Sequence, residues 1–118
     1  MATGRMRRVD EAVRQVVGDA VSELKDPRVG FVTVTDVRTS PDLRHARVYV
    51  SVLGAAGGSS VEPEREDSLA GLRSAHGYLQ GRIARELHLK RTPALEFVYD
   101  DTTDRAMRLE RLIEEQSS

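Results

Sequence analysis

The chain contains no cysteine and no tryptophan, and aromatics make up only 4% of its 118 residues. Without thiols there can be no disulfide, no thiolate nucleophile and no sulfur-ligated zinc or iron. With so few aromatics, the core must be built mostly from Val, Leu and Ala. No apolar run approaches the roughly 20 residues that a bilayer span requires, and "MATGRMRRVDEA" lacks the apolar centre of a signal peptide. The expectation is a cytoplasmic protein without a membrane partner. The Gly-rich stretch "GAAGGSSVEPERED" (54–67) has no lysine and so is no Walker phosphate loop, and no serine stands in a "GxSxG" setting. His45, His76 and His88 fall on three different elements, with no pair at the i, i+4 spacing of a helical metal site. No metal, no cofactor and no enzymatic activity are expected.

What is present fits one α+β domain over 1–118, with 39% apolar and 31% charged residues. Val9, Ala12, Val13, Val16, Val17, Ala20, Val21 and Leu24 recur at three-and-four spacing, which predicts an amphipathic helix from about Val9 to Leu24, closed by Pro27. "FVTVTDV" (31–37) and "ARVYVSVL" (46–53) are rich in β-branched residues, and "TSPDL" between them supplies turn chemistry. These two strands should pair as an antiparallel hairpin. The stretch 54–67 reads as a flexible loop and 1–7 and 114–118 as short tails. Helical spacing resumes from Ser68 through Leu69, Leu72, His76, Leu79, Ile83 and Leu87, and "PALEFVYDD" alternates as a third strand. "TTDRAMRLERLIEE" predicts a C-terminal helix, with Asp100, Asp101 and Asp104 serving its N-terminus better than a magnesium ion. The order is α-β-β-α-β-α, and strand order in the sheet is left open.

A net charge of −1 conceals segregation: residues 73–91 carry a net +4 and residues 96–115 a net −4. Arg73, Arg82, Arg85, Lys90 and Arg91 gather on and after the second helix. Arg5, Arg7 and Arg8 form an N-terminal arm ahead of Asp10, while Arg44, His45 and Arg47 follow the hairpin turn. As a set these groups suit phosphate contacts, which give RNA or DNA affinity without sequence choice.

Within "SAHGYLQGRIAREL" (74–87), Gly77 and Gly81 stand where a helix prefers alanine, at about 1 kcal/mol each. Two readings are equally open. A bend at Ala75-His76-Gly77 would expose backbone amides to an approaching phosphate; alternatively, the glycines let the helix pack tightly on a strand. Tyr78 beside them could stack on a base or be buried in the core.

"DPRVGFVTVTDVRTSPDLRHARVYVSVL" (26–53), "AHG" (75–77) and "LHLKRTPALEFVYDDTTDRAMRLERLI" (87–113) together resemble the ribosome-binding factor A family over nearly the whole chain. The resemblance implies a KH-like domain of the second type, ordered α-β-β-α-kink-α-β-α around a three-stranded mixed sheet, with Ala-x-Gly replacing the Gly-x-x-Gly of KH modules. It also implies a non-catalytic factor that binds the free small (30S) ribosomal subunit and its 16S rRNA, and that supports late maturation, rRNA processing and growth at low temperature. Ribosomal proteins or an assembly GTPase are the further partners it leaves open, and a monomer is expected. Two features depart from the family pattern: the Gly and Ala content of 54–67, and the little room left after the last helix for the C-terminal extension of some members. The candidate RNA-binding residues are the basic groups with the kink: Arg5, Arg7, Arg8, Arg44, Arg47, Arg73, Ala75, His76, Gly77, Arg82, Arg85, Lys90 and Arg91. The alternative is a small α+β protein-interaction or regulatory domain without RNA binding, its sheet face turned to a partner chain.

Overall fold

The apolar spacing of Val13, Val16, Val17, Ala20 and Val21 becomes the buried stripe of α1 (Gly4–Ser22). These elements belong to a computed structural model that describes residues 4–53 and 62–100. The helix begins at Gly4 rather than Val9, so most of the expected 1–7 tail is helical. Arg5, Arg7 and Arg8 are good helix formers, and apolar periodicity cannot register a polar first turn. At the other end, Glu23 and Leu24 donate their amides to Ala20 O and Val21 O, which tightens the last turn before Pro27.

Strands β1 (Phe31–Thr39) and β2 (His45–Leu53) pair antiparallel, from Phe31 opposite Leu53 to Thr39 opposite Ala46. The register shifts between Val34 and Asp36. That bulge at Thr35 rephases the strand, because a strict two-residue period would put Val34 and Val37 on opposite faces. Both valines are buried. Strand β3 (Ala94–Tyr99) runs parallel to β2, giving a mixed sheet in the order β1-β2-β3. The central strand β2 buries Ala46, Val48, Val50 and Val52, every second residue, on the face covered by the helices.

Between β2 and β3 lie α2 (Glu62–Ser74) and α3 (His76–Glu86). The expected loop therefore ends at least six residues before Asp67. "EPERED" has no apolar period, but it carries helix-start chemistry: a proline in the first turn and acids that complement the dipole. Leu69, Leu72, Leu79 and Ile83 join the valines of α1 and the sheet in one core, and full burial of each such leucine or isoleucine stabilises by about 1.5–3 kcal/mol. Gly71 is the most tightly packed of the described glycines, since a Cβ there would lie 2.5 Å from Val29 Cγ2. The opposite face of the sheet presents Thr33, Arg38, Arg47 and Glu96 to solvent, together with Phe31 (74% exposed) opposite Leu53 (48%). The expected C-terminal helix lies outside the described residues. Among the described residues, no helix is long and apolar enough to cross a membrane.

Candidate nucleic-acid interface

A single residue joins α2 to α3. Ala75 sits at φ −88° and ψ 6°, in the sparsely allowed bridge region. Its amide bonds Gly71 O and Leu72 O, and its carbonyl accepts the amide of Leu79. Among the described residues no side chain caps α3, and the amides of His76, Gly77 and Tyr78 precede the first bond within the helix. Among the described residues, a Cβ at Gly77 would meet nothing within 4 Å, and one at Gly81 only Arg85 Nη1 at 3.6 Å. Among the described residues neither glycine is needed for packing on a strand; the glycine with a close neighbour is Gly71, which packs on Arg28 and Val29 in the connection before β1. The His76 side chain turns to the sheet, where Nε2 accepts the amide of Leu95 at 3.0 Å.

The cations around this junction differ in their freedom. The Arg82 guanidinium bonds Glu23 at 2.6 Å and Glu86 at 2.5 Å, donates to Tyr78 Oη at 3.1 Å, and is only 17% exposed. Those bonds, Glu86 first, then Tyr78 and Glu23, raise its pKa further. Tyr78 is 45% exposed, with its hydroxyl in this network. Arg28 clasps Asp26 and reaches Ser74 Oγ at 3.0 Å, a link from the "DPR" turn to the junction that the sequence reading did not assign. Arg73 and Arg85 are exposed and, among the described residues, have no ion-pair partner.

A second locus lies at the hairpin turn. Leu43 N bonds Ser40 O at 2.9 Å, and Ser40 N bonds His45 O at 2.8 Å. The Ser40 hydroxyl donates to Asp42 Oδ1 at 2.6 Å and accepts the amide of His45, and the same carboxylate accepts the amide of Arg44. This bonding holds the Asp42 carboxyl below its ordinary range, the Ser40 hydroxyl contributing most. Leu43 occupies the left-handed region at φ 61° yet is buried; that conformation costs a non-glycine residue about 1–2 kcal/mol, and burial of the side chain offsets it.

Around this turn the fold assembles charges far apart in sequence. Arg5, Pro41, Asp42, Leu43, Arg44, Lys90 and Arg91 line a cleft of about 320 Å³. The α3–β3 connection that carries Lys90 and Arg91 is fastened at its exit: Gln80 Nε2 donates to Pro93 O, and Ala94 N to Arg44 O, both at 2.9 Å. Arg7 lines a different cleft, of about 400 Å³, with Asp10, Glu11, Arg14, Asp36 and Arg38. Arg8 Nε donates to Gly4 O, and Arg47 pairs with Glu96 at 3.7 Å on the open face. The structure thus divides the thirteen candidates. Ala75, His76, Gly77 and Arg73 lie at the junction, with Arg82 further along α3 and Arg85 in its last turn; Arg5, Arg44, Lys90 and Arg91 meet at the turn, and Arg7, Arg8 and Arg47 stand apart. Among the described residues, no group of three or more His, Asp or Glu could hold a metal ion.

The family model of ribosome-binding factor A matches the sequence over residues 5–113. The chain belongs to the ribosome-binding factor A family. Its fold is similar to the crystal structure of ribosome-binding factor A from Thermus thermophilus, with 28% identity, TM-score 0.68, and coverage of 80% of this chain and 93% of that one. A Thermotoga maritima protein solved by NMR as a candidate ribosome-binding factor A is similar at 31% identity and TM-score 0.70, over 83% and 89% of the two chains. A homology model of the Thermus thermophilus ribosome-binding factor A, fitted into the cryo-EM map of its complex with the 30S subunit, matches at 28% identity and TM-score 0.58, over 75% and 88%. The ribosome-binding factor A match takes in both the junction and the basic turn.

Proposed function

We propose that this protein is a non-catalytic assembly factor that binds the free small ribosomal subunit through its 16S rRNA and supports late maturation and rRNA processing, including growth in the cold. It acts as a cytoplasmic monomer with a KH-like fold. The observation that carries this reading is the likeness to a family member fitted on the 30S subunit. The charge layout agrees with it, since exposed arginines and lysines on several elements give a chain of net charge −1 a basic pole for a polyanion. Ribosomal proteins or an assembly GTPase would be further partners on the subunit.

The test is sedimentation of the tagged protein with separated ribosomal fractions at low and moderate salt. Selective recovery with small subunits, falling as salt rises, is the expected result. Absence from every ribosomal fraction at both salts would overturn the reading. A protein-interaction domain is the second reading, favoured by Phe31 and Leu53 as exposed cross-strand neighbours on the open face. It predicts recovery that is indifferent to salt.

A further inference from the structure

We propose that the cleft between the first turn of α1, the hairpin turn and the α3–β3 connection, not the Ala75–Gly77 junction, is the main subsite for the phosphodiester backbone of RNA. This rests on the rRNA-binding reading above and assigns the contact within it. Three observations separate the cleft from its competitors.

Charge balance comes first. Among the described residues, four cations, Arg5, Arg44, Lys90 and Arg91, line the cleft with a single carboxylate, Asp42. That carboxylate is engaged by Ser40, by the Arg44 amide and, at 3.6 Å, by the Arg44 guanidinium, so it offsets one of the four cations. Arg5, Lys90 and Arg91 have no ion-pair partner among the described residues. The Arg7 cleft serves as an internal comparison. Its three arginines face three carboxylates: Arg14 pairs with Glu11, Arg38 with Asp36, and Asp10 accepts the amide of Thr39. One cleft neutralises itself and the other leaves an excess of positive charge.

Helix electrostatics come second. The first turn of α1 contains no acid and carries Arg5 and Arg7, with Arg8 following. Cations at a helix N-terminus oppose the macrodipole, so this placement works against the helix unless an anion arrives. Arg5 lies on that turn and lines the cleft.

Rigidity comes third. The cations on the turn and the connection project from backbone that is bonded in place by Ser40, Asp42, Gln80 and Ala94, which lowers the ordering cost of binding. At the junction, by contrast, Arg82 is held by two carboxylates and His76 by Leu95. Guanidinium groups suit phosphate oxygens because their planar fork can bond two at once.

The experiment titrates the isotope-labelled full chain with a uridine octanucleotide at low salt, in parallel with polyglutamate of equal charge, and follows backbone amides by NMR. The largest shifts are expected at Arg5, Arg44, Lys90 and Arg91. The triple variant Arg5→Gln, Lys90→Gln, Arg91→Gln should lose about tenfold or more in affinity, with a salt slope reduced by about 2, since each phosphate contact on a single strand contributes roughly 0.7. Arg14→Gln, in the neutral cleft, should shift neither. Largest shifts at Ala75–Tyr78, greater loss in Arg73→Gln, Arg85→Gln than in the triple variant, no shift at all, or tighter binding of polyglutamate would each overturn the assignment. Sedimentation with small subunits keeps the two readings apart. Cleft shifts without subunit binding would retain the subsite and remove the ribosomal role, and subunit binding without cleft shifts would do the reverse.

Discussion

Leu95 donates its backbone N–H to Nε2 of His76 at 3.0 Å, so the side chain that opens α3 closes a position on the outer edge of β3. Ala94, one residue earlier, bonds inward to Arg44 O. The start of β3 is therefore held from both sides, by the hairpin and by the helix junction. His76→Ala should cost about 1–3 kcal/mol, because the half-buried Leu95 amide is left without its partner. His76→Gln offers an acceptor at nearly the same reach and should recover most of that loss in urea unfolding. Equal losses in the two variants would mean that the imidazole contributes volume rather than the bond.

Much of this architecture is legible in the sequence, because burial leaves a period. The stripe of α1, the alternation of β2 and β3 and the "SPD" turn all follow from local rules. Boundaries set by polar chemistry are harder to read, as the start of α1 at Gly4 and of α2 at Glu62 show. Long-range meetings are harder still. Nothing in the spacing of Arg5, Arg44 and Lys90 says that they line one cleft, and nothing around Arg82 says that Glu23, on the connection after α1, neutralises it. The Ala75 junction is visible as a weak point in a helix, but the propensity cost of its glycines says nothing about the space around them.

Space separates Gly71 from Gly77. Gly77→Ala adds a methyl group to open surroundings and should stabilise by about 0.5–1 kcal/mol through helix propensity. Gly71→Ala gains the same propensity but drives its Cβ into Val29, and overpacking of this kind costs about 1–3 kcal/mol. Thermal melts of the two variants should move in opposite directions. Small-subunit affinity, measured on the folded Gly77→Val protein, then reports whether the junction needs a bare backbone. A fall in binding without a fall in stability would give Gly77 a contact role.

Arg82 and Arg85 lie on the same helix and should behave oppositely. Arg82→Gln removes the link between α3 and Glu23 and should lower the melting temperature more than Arg85→Gln, whose guanidinium has no ion-pair partner among the described residues. The gap should narrow at high salt, where partly exposed pairs are screened. In sedimentation with small subunits the order should reverse, with Arg85→Gln weakening binding more. If Arg82→Gln instead removes binding while leaving the melting temperature untouched, its carboxylate partners release it when RNA is present.

The hairpin turn carries a pH dependence of definite sign. The Ser40 hydroxyl, then the Arg44 amide and the Arg44 and His45 charges, hold the Asp42 carboxyl below its ordinary value of 3.8. A carboxyl depressed in the folded state stabilises it fully above 3.8, and that contribution disappears as pH falls through the lower, folded value. Carbon-detected NMR should therefore place the Asp42 midpoint below 3.8. Ser40→Ala should move it upward, since it removes the largest of those causes. Asp26 is the comparison within the same molecule: Arg28 is the main cause of its lowered pKa, so its midpoint should ignore the Ser40 substitution. An Asp42 midpoint that stays put in Ser40→Ala would transfer control of the turn from the hydroxyl to Arg44. Acid would then loosen the turn only by discharging the carboxylate that faces the basic cleft.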